Sequence, residues 1–178
     1  VFDIEVGTKD VEEFIQTVKN IAPTFGGINL EDIKAPESFE IERRLVEELD
    51  IPVMHDDQHG TAIISSAALL NAVELAGKKT EDLKMVVSGA GSAALACANM
   101  YVLLGLKVEN ILMFNSKGVL TKDNTSLSEM QLKYATDKKP MSLEEALVGA
   151  DIFLGLSSGD IMTPKMLLTM ADNPIVFA

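Results

Sequence analysis

Residues 84–105, KMVVSGAGSAALACANMYVLLG, confine the chain's second half to one kind of architecture. MVV reads as a buried strand, the glycines that follow as a tight turn, and the alanine-rich stretch after them as a helix. That succession gives meaning to the pattern G-x-G-x-x-A formed by Gly89, Gly91 and Ala94. Gly89 permits the tight turn, Gly91 lets backbone approach a pyrophosphate, and Ala94 lets the helix pack closely on its strand. Unpaired N–H groups along Ala90, Ser92 and Ala93 would face the phosphates. A glycine-rich turn can also be no more than a turn; the strand, helix, strand order around it favours a dinucleotide site.

In such a site the acid that binds the adenosine ribose stands at the end of the next strand. MFNSKG puts Asn115 there, which brings no charge to repel a 2′-phosphate, while Ser116 and Lys117 are placed to meet one. NADP and NAD are both expected cofactors, with a small lean toward NADP. For Lys117 the plainer reading is a solvated turn lysine.

The remaining pattern is strand and helix in alternation. VFDIEV alternates as a strand, Thr8 caps a helix through Ile21, GGINLEDI is a second strand, and Ser38 opens the helix SFEIERRLVEELD. IPVM follows as a strand, then a helix from about Thr61 to Ala76, apolar almost all round and expected to be buried. The polar KKTEDLK sets the expected boundary, with residues 1–78 forming the end of a smaller α/β substrate and metal domain. Residues 79–178 form a Rossmann-type domain, its strands being VENILMFN, DIFLGLS and PIVFA after the first. KGVLTKDN reads as a turn, and SLSEMQLKYA, SLEEALVGA and TPKMLLTMA as helices, capped in the last two by Ser142 and Thr163. Strands rich in Val, Ile and Leu between helices indicate a parallel sheet covered on both faces.

The stretch VMHDDQHGTA, residues 53–62, carries the densest chemistry. His55 and His59 have the spacing of a zinc helix, but IPVM before them and Gly60 after them read as a strand end running into a turn. Extended, two such histidines lie on the order of 13 Å apart, too far to share a metal, so hydrogen bonding behind the carboxylates is their expected work. Glu31 and Asp32 end one strand while Asp56 and Asp57 end another. Four carboxylates at strand ends suit a hard cation, Mg²⁺ or Mn²⁺.

Composition limits the partners. A formal charge of −12 on 178 residues argues against a nucleic-acid or anionic-membrane surface, and the longest apolar run, TAIISSAALLNAVELA, falls short of a membrane span. The single cysteine, Cys97, has no partner for an internal disulfide and sits among apolar residues, as a small core residue would. These features point to an intracellular, cytoplasmic protein that binds small molecules and cations. The strand-like VFDIEV and PIVFA at the two ends suggest a piece of a longer chain.

The blocks GGINLEDIKAPESFEIE, IPVMHDDQHGTA, GAGSAALACA, MFNSKGVL and DIFLGLSSGDIMTP together resemble malic enzyme, particularly its bacterial forms, over essentially the whole chain. The resemblance implies oxidative decarboxylation of malate to pyruvate and CO₂ with a divalent metal and NAD or NADP, in a homodimer. It implies Glu31, Asp32 and Asp57 as metal ligands, Asp56 as the acid beside a catalytic lysine, and Thr61, Gly89, Gly91 and Ala94 at the cofactor. Ser157 and Gly159 fall in a loop that resembles the one near the nicotinamide ribose. Asn115 departs from the acid often found there, and the family's catalytic lysine and tyrosine have no match in this chain. Tyr101 and Tyr134 sit in expected helices without a motif around them. The other readings are a non-catalytic dinucleotide-binding or regulatory module, and a different hydroxy- or amino-acid dehydrogenase.

Overall fold

The computed structural model describes residues 1–178, and these fall into two compact units, Val1–Gly60 and Thr61–Ala178. In the first, helix α1 (Val11–Ile21) begins where Asp10 accepts the N–H of Glu13 at 2.9 Å, satisfying one of the donors a helix start leaves open. The cap is therefore Asp10; Thr8 supports it, accepting the N–H of Asp10 and donating to Glu13. Ile15 and Val18 of α1 meet Ile41 and Leu45 of α2 (Glu37–Glu48) in a small core with Leu30. The helix α2 starts one residue before Ser38, which lies fully buried inside its first turn.

Strands β1 (Ile28–Leu30) and β2 (Val53–His55) pair in parallel, Ile28 with Val53 and Leu30 with His55. VFDIEV forms no strand: its residues are mostly exposed and its alternation finds no neighbour to pair with. Arg44 grips Glu12 across α1 and α2. Surface ion pairs of this kind are screened by solvent and contribute little, so the apolar core carries the unit.

In the second unit five strands run in the order β5-β4-β3-β6-β7. They are β3 (Met85–Ser88), β4 (Ile111–Asn115), β5 (Gly118–Val119), β6 (Ile152–Gly155) and β7 (Ile175–Phe177). β3 is parallel to β4 on one side and to β6 on the other. β5 is antiparallel to β4, so the sheet is mixed, and the turn expected at KGVL includes a two-residue strand. Alternate residues serve opposite faces: Met85 and Val87 pack in the larger core with Leu95 and Tyr101 of α4 (Ser92–Leu103), while Val86 and Phe153 pack with Leu147 of α6 (Leu143–Leu147). Burial on both faces explains why every residue of β3 is apolar or small. Two short helices, α5 (Glu129–Leu132) and α7 (Pro164–Leu167), cover less than the stretches expected to be helical there.

Helix α3 runs Asp56–Ala76 and corrects two expectations. It starts at Asp56, not near Thr61, so Asp56 and Asp57 open a helix rather than end a strand. Carboxylates in a first turn complement the positive end of the helix dipole, which favours this start. Nor is α3 buried all round. Ala62, Leu69 and Val73 join the larger core, whereas Ile64 is 69% and Leu75 89% exposed. That core contact also places the helix after Gly60 with the second unit, whereas the expected boundary lay at residues 78 and 79. No helix is long and apolar enough to cross a membrane.

Candidate functional site

β4 and β6 flank β3 on opposite sides, so the chain leaves the C-terminal end of β3 at a point where strand order reverses, the place where open α/β sheets hold ligands. Gly89 stands there with φ of +127°, a backbone conformation that only glycine adopts without strain. Its N–H donates to the carbonyl of Phe114 at 2.9 Å, and a Cβ added to it would come within 2.5 Å of the Leu156 carbonyl oxygen. The turn is thereby wedged between the ends of β4 and β6. Gly91 differs: its φ is −87° and nothing lies within 4 Å of where its Cβ would stand. Open space on that side leaves the backbone approachable.

Gly91 is the N-cap of α4 and supplies no side-chain hydrogen bond, so the N–H groups of Ser92, Ala93 and Ala94 face outward without a cap. Ala94 is buried under the helix, and the carbonyl of Ala90 accepts from Gln131 at 2.9 Å. The loop after β6 reaches the same turn, because Ser157 Oγ lies 2.9 Å from Ser88 Oγ. Backbone donors at a twelve-residue helix start, beside a glycine turn, can hold a diphosphate. Gly159 is exposed with nothing within 4 Å of its Cβ position, and Thr61 is half-buried on α3.

Asn115 ends β4, and its Oδ1 accepts the N–H of Lys117 at 2.8 Å, closing a turn that leaves Ser116 and Lys117 exposed. With that acceptor engaged, the amide offers its N–H donors to a ligand. The acceptor role expected of Asn115 toward a ribose hydroxyl is thus partly taken up by its own turn.

The acidic residues of the first unit come only partly together. Asp57 Oδ2 accepts the N–H of Asp32 at 3.1 Å, which joins the end of β1 to the start of α3, and Asp32 holds a left-handed φ of 56°. Glu31 turns instead to Asn29, whose Nδ2 donates to it at 2.7 Å. Nowhere in the chain do three His, Cys, Asp or Glu side chains converge closely enough to hold a metal ion. The donor chemistry suits a hard cation, but the side chains as placed do not fit one. Asp56 Oδ1 folds back over Gly60, 2.1 Å from where a Cβ would stand.

The histidines take separate partners. His55 is fully buried with Nε2 3.6 Å from Asp57 Oδ2, while His59 Nε2 lies 3.0 Å from Glu42. Glu42 was not singled out by motif, yet it also accepts the backbone N–H of His55 at 2.8 Å and lies 3.4 Å from Gln58 Nε2. Its signal was positional: it stands one turn from Ser38 and near Leu45 on the buried side of α2, where a carboxylate needs partners. Replacing Glu42 by Ala strands these donors, and stability is expected to fall by about 1–3 kcal/mol, measured as a shift of the urea midpoint.

Both tyrosines pack in the larger core of the second unit. Tyr101 is fully buried on α4, and burial pushes its hydroxyl up to about 12. Tyr134 lies in the turn after α5 rather than in a helix, donates to Asn99 at 2.6 Å, and is likewise pushed up to about 12 by burial.

The model of the malic enzyme NAD-binding domain matches residues 58–178, and that of the malic enzyme N-terminal domain matches residues 5–46. The chain belongs to the malic enzyme family. It is 49% identical to the NADP-dependent malic enzyme of Halomonas elongata, over 99% of this chain and 42% of that protein. It is 50% identical to the NAD-dependent malic enzyme of Rhizobium meliloti, over 100% of this chain and 23% of that one. Among solved structures, the NAD-dependent malic enzyme from Thermotoga maritima matches with a TM-score of 0.91 and 42% identity, covering 99% of this chain and 48% of that chain. The chain thus spans less than half the length of these relatives. Their agreement confirms an α/β fold with a Rossmann-type NAD-binding domain, and an enzyme family that uses NAD or NADP.

Proposed function

We propose that the chain is part of an enzyme that oxidises malate and decarboxylates it to pyruvate and CO₂, reducing NAD⁺ or NADP⁺. The observation that carries this reading is the turn at Gly89 and Gly91, open on one side, locked by backbone on the other, and leading into an uncapped α4. A hydride leaves C2 of malate for the nicotinamide as the C2 hydroxyl loses its proton. The resulting 2-oxo acid then gives up its β-carboxylate as CO₂, and the enolate that remains takes a proton at C3 to become pyruvate.

Within that scheme Gly89, Ala90, Gly91, Ser92, Ala93 and Ala94 hold the dinucleotide diphosphate. Thr61, Asn115, Ser116, Lys117 and Ser157 contact the rest of the cofactor, and Asp56 orients the proton-transferring group. The test is malate-dependent formation of reduced cofactor with release of CO₂ by the longer enzyme that contains this chain. Reduced cofactor without CO₂ would favour a different hydroxy-acid dehydrogenase, and binding of dinucleotide without turnover a regulatory module.

Glu31, Asp32 and Asp57 are proposed as ligands of Mg²⁺ or Mn²⁺, a reading supported by the hydrogen bond from the Asp32 backbone N–H to Asp57, which brings the end of β1 beside the start of α3, and requiring Glu31 to leave Asn29. Titration with Mn²⁺, followed by its relaxation signal, is expected to show a site that Asp57→Ala loses and Lys117→Ala keeps. No specific Mn²⁺ binding to the folded protein counts against it. Homodimer formation and a cytoplasmic site of action complete the proposal; the exposed apolar side of α3, with Ile63, Ile64 and Leu75, supports a covered surface in an assembly.

A further inference from the structure

The end of β4 lacks the carboxylate that commonly selects NAD, but the structure provides one from another element. Asn115, Lys117 and Gly118 form one wall of a cavity of about 410 Å³, and Ser142 and Glu145, at the start of α6, form another. Asn115 and Lys117 are the residues whose sequence position marks the adenosine ribose, so this cavity adjoins the 2′ position of a bound dinucleotide. The inference rests on the dinucleotide reading given above.

Glu145 is not a freely rotating surface acid. Its Oε2 accepts the N–H of Ser142 at 2.7 Å and lies 3.0 Å from Ser142 Oγ, while Ser142 Oγ accepts the N–H of Glu145 at 3.1 Å. This reciprocal capping box fixes the carboxylate against the cavity wall. The hydrogen bonds from Ser142 also hold its carboxyl below the usual carboxylate range, so it stays charged at neutral pH.

We propose that Glu145 is a specificity-determining residue that disfavours a 2′-phosphate in this cavity and shifts cofactor preference toward NAD. A phosphate monoester brings close to two negative charges, which a fixed carboxylate repels, whereas the 2′-hydroxyl of NAD brings none. Lys117, on the other wall, opposes this bias, so the balance of the two side chains sets the preference. Rejection through a placed like charge, rather than through loss of an attractive contact, is a recognised way to build specificity.

The test compares binding of NAD⁺ and NADP⁺ to the wild-type protein and to Glu145→Gln, by calorimetry. Gln keeps the capping geometry and removes the charge, so the fold is retained; E145S is a second neutral variant. The control is Glu144→Gln, which removes the same charge from a residue paired with Lys165 and absent from the cavity wall. Expected is a rise of about twofold to fivefold in NADP⁺ affinity relative to NAD⁺ in both Glu145 variants, the range of a solvent-accessible charge interaction, and no change in the control. An unchanged ratio, or an equal shift in E144Q, overturns the role of Glu145 while leaving the dinucleotide reading intact. Failure of the wild-type protein to bind either dinucleotide overturns both.

Discussion

Gly89→Ala is expected to cost about 2–4 kcal/mol of stability and to weaken dinucleotide binding by at least about tenfold. Two independent penalties meet at this residue. Its φ of +127° lies where a side chain is strained, and the new Cβ would be pushed to 2.5 Å from a backbone oxygen, that of Leu156, which no rotamer change can relieve. Either β6 moves or the turn does. Because the same turn aims the N–H groups of α4, even 1.4 kcal/mol of lost binding is a tenfold change. Gly91→Ala separates the effects: its backbone is ordinary and its surroundings empty, so only the poorer N-cap is felt, and stability is expected to fall by no more than about 1 kcal/mol while binding weakens. Thermal unfolding with and without NAD(P)⁺ measures both quantities. A G89A protein that unfolds and binds as the wild type does would rule out the turn as the phosphate site.

What was legible in the sequence follows the range of the forces involved. The strand, turn and helix at 85–103 could be read because each depends on residues adjacent in sequence: the glycine conformations, the apolar run and the helix start. VFDIEV misled because alternation reveals which face of a strand would be buried but not whether a partner strand exists. β5 was missed because two residues give no periodicity. From sequence alone Gly60 reads as a turn and the aspartates as strand-end residues, which puts the start of α3 about a turn too late. Acidic residues are equally a helix-start signal, and the structure resolves the ambiguity in favour of the helix. Side-chain pairing across elements was the least legible layer. The contact of Asp57 with Asp32, the hold of Glu42 on His55 and His59, and the face-specific burial of α3 all depend on how elements far apart in sequence pack.

The second large effect is expected at Gly60, where helix propensity and local geometry make opposite demands. In an ordinary helix Gly→Ala stabilises by about 1 kcal/mol. Here the added methyl would stand 2.1 Å from Asp56 Oδ1 and 2.8 Å from its Cγ, so the carboxylate of Asp56 must swing away. Displacement of a positioning group by about 1 Å can cost on the order of 10²-fold in rate. In the malate-oxidising enzyme proposed to contain this chain, Gly60→Ala is therefore expected to lose turnover to that extent, while the unfolding midpoint of the chain changes little. The coupling can be tested without any assay of turnover. In an Asp56→Ala background the obstruction is gone, so adding G60A should recover the full helix benefit of about 1 kcal/mol, a non-additivity that a double-mutant cycle reads directly. If G60A is equally stabilising in both backgrounds, Asp56 does not rest over Gly60 in solution. If it is not, the glycine is there to leave room for the carboxylate, and the closing residues of HDDQHG serve the aspartate rather than a bend in the chain.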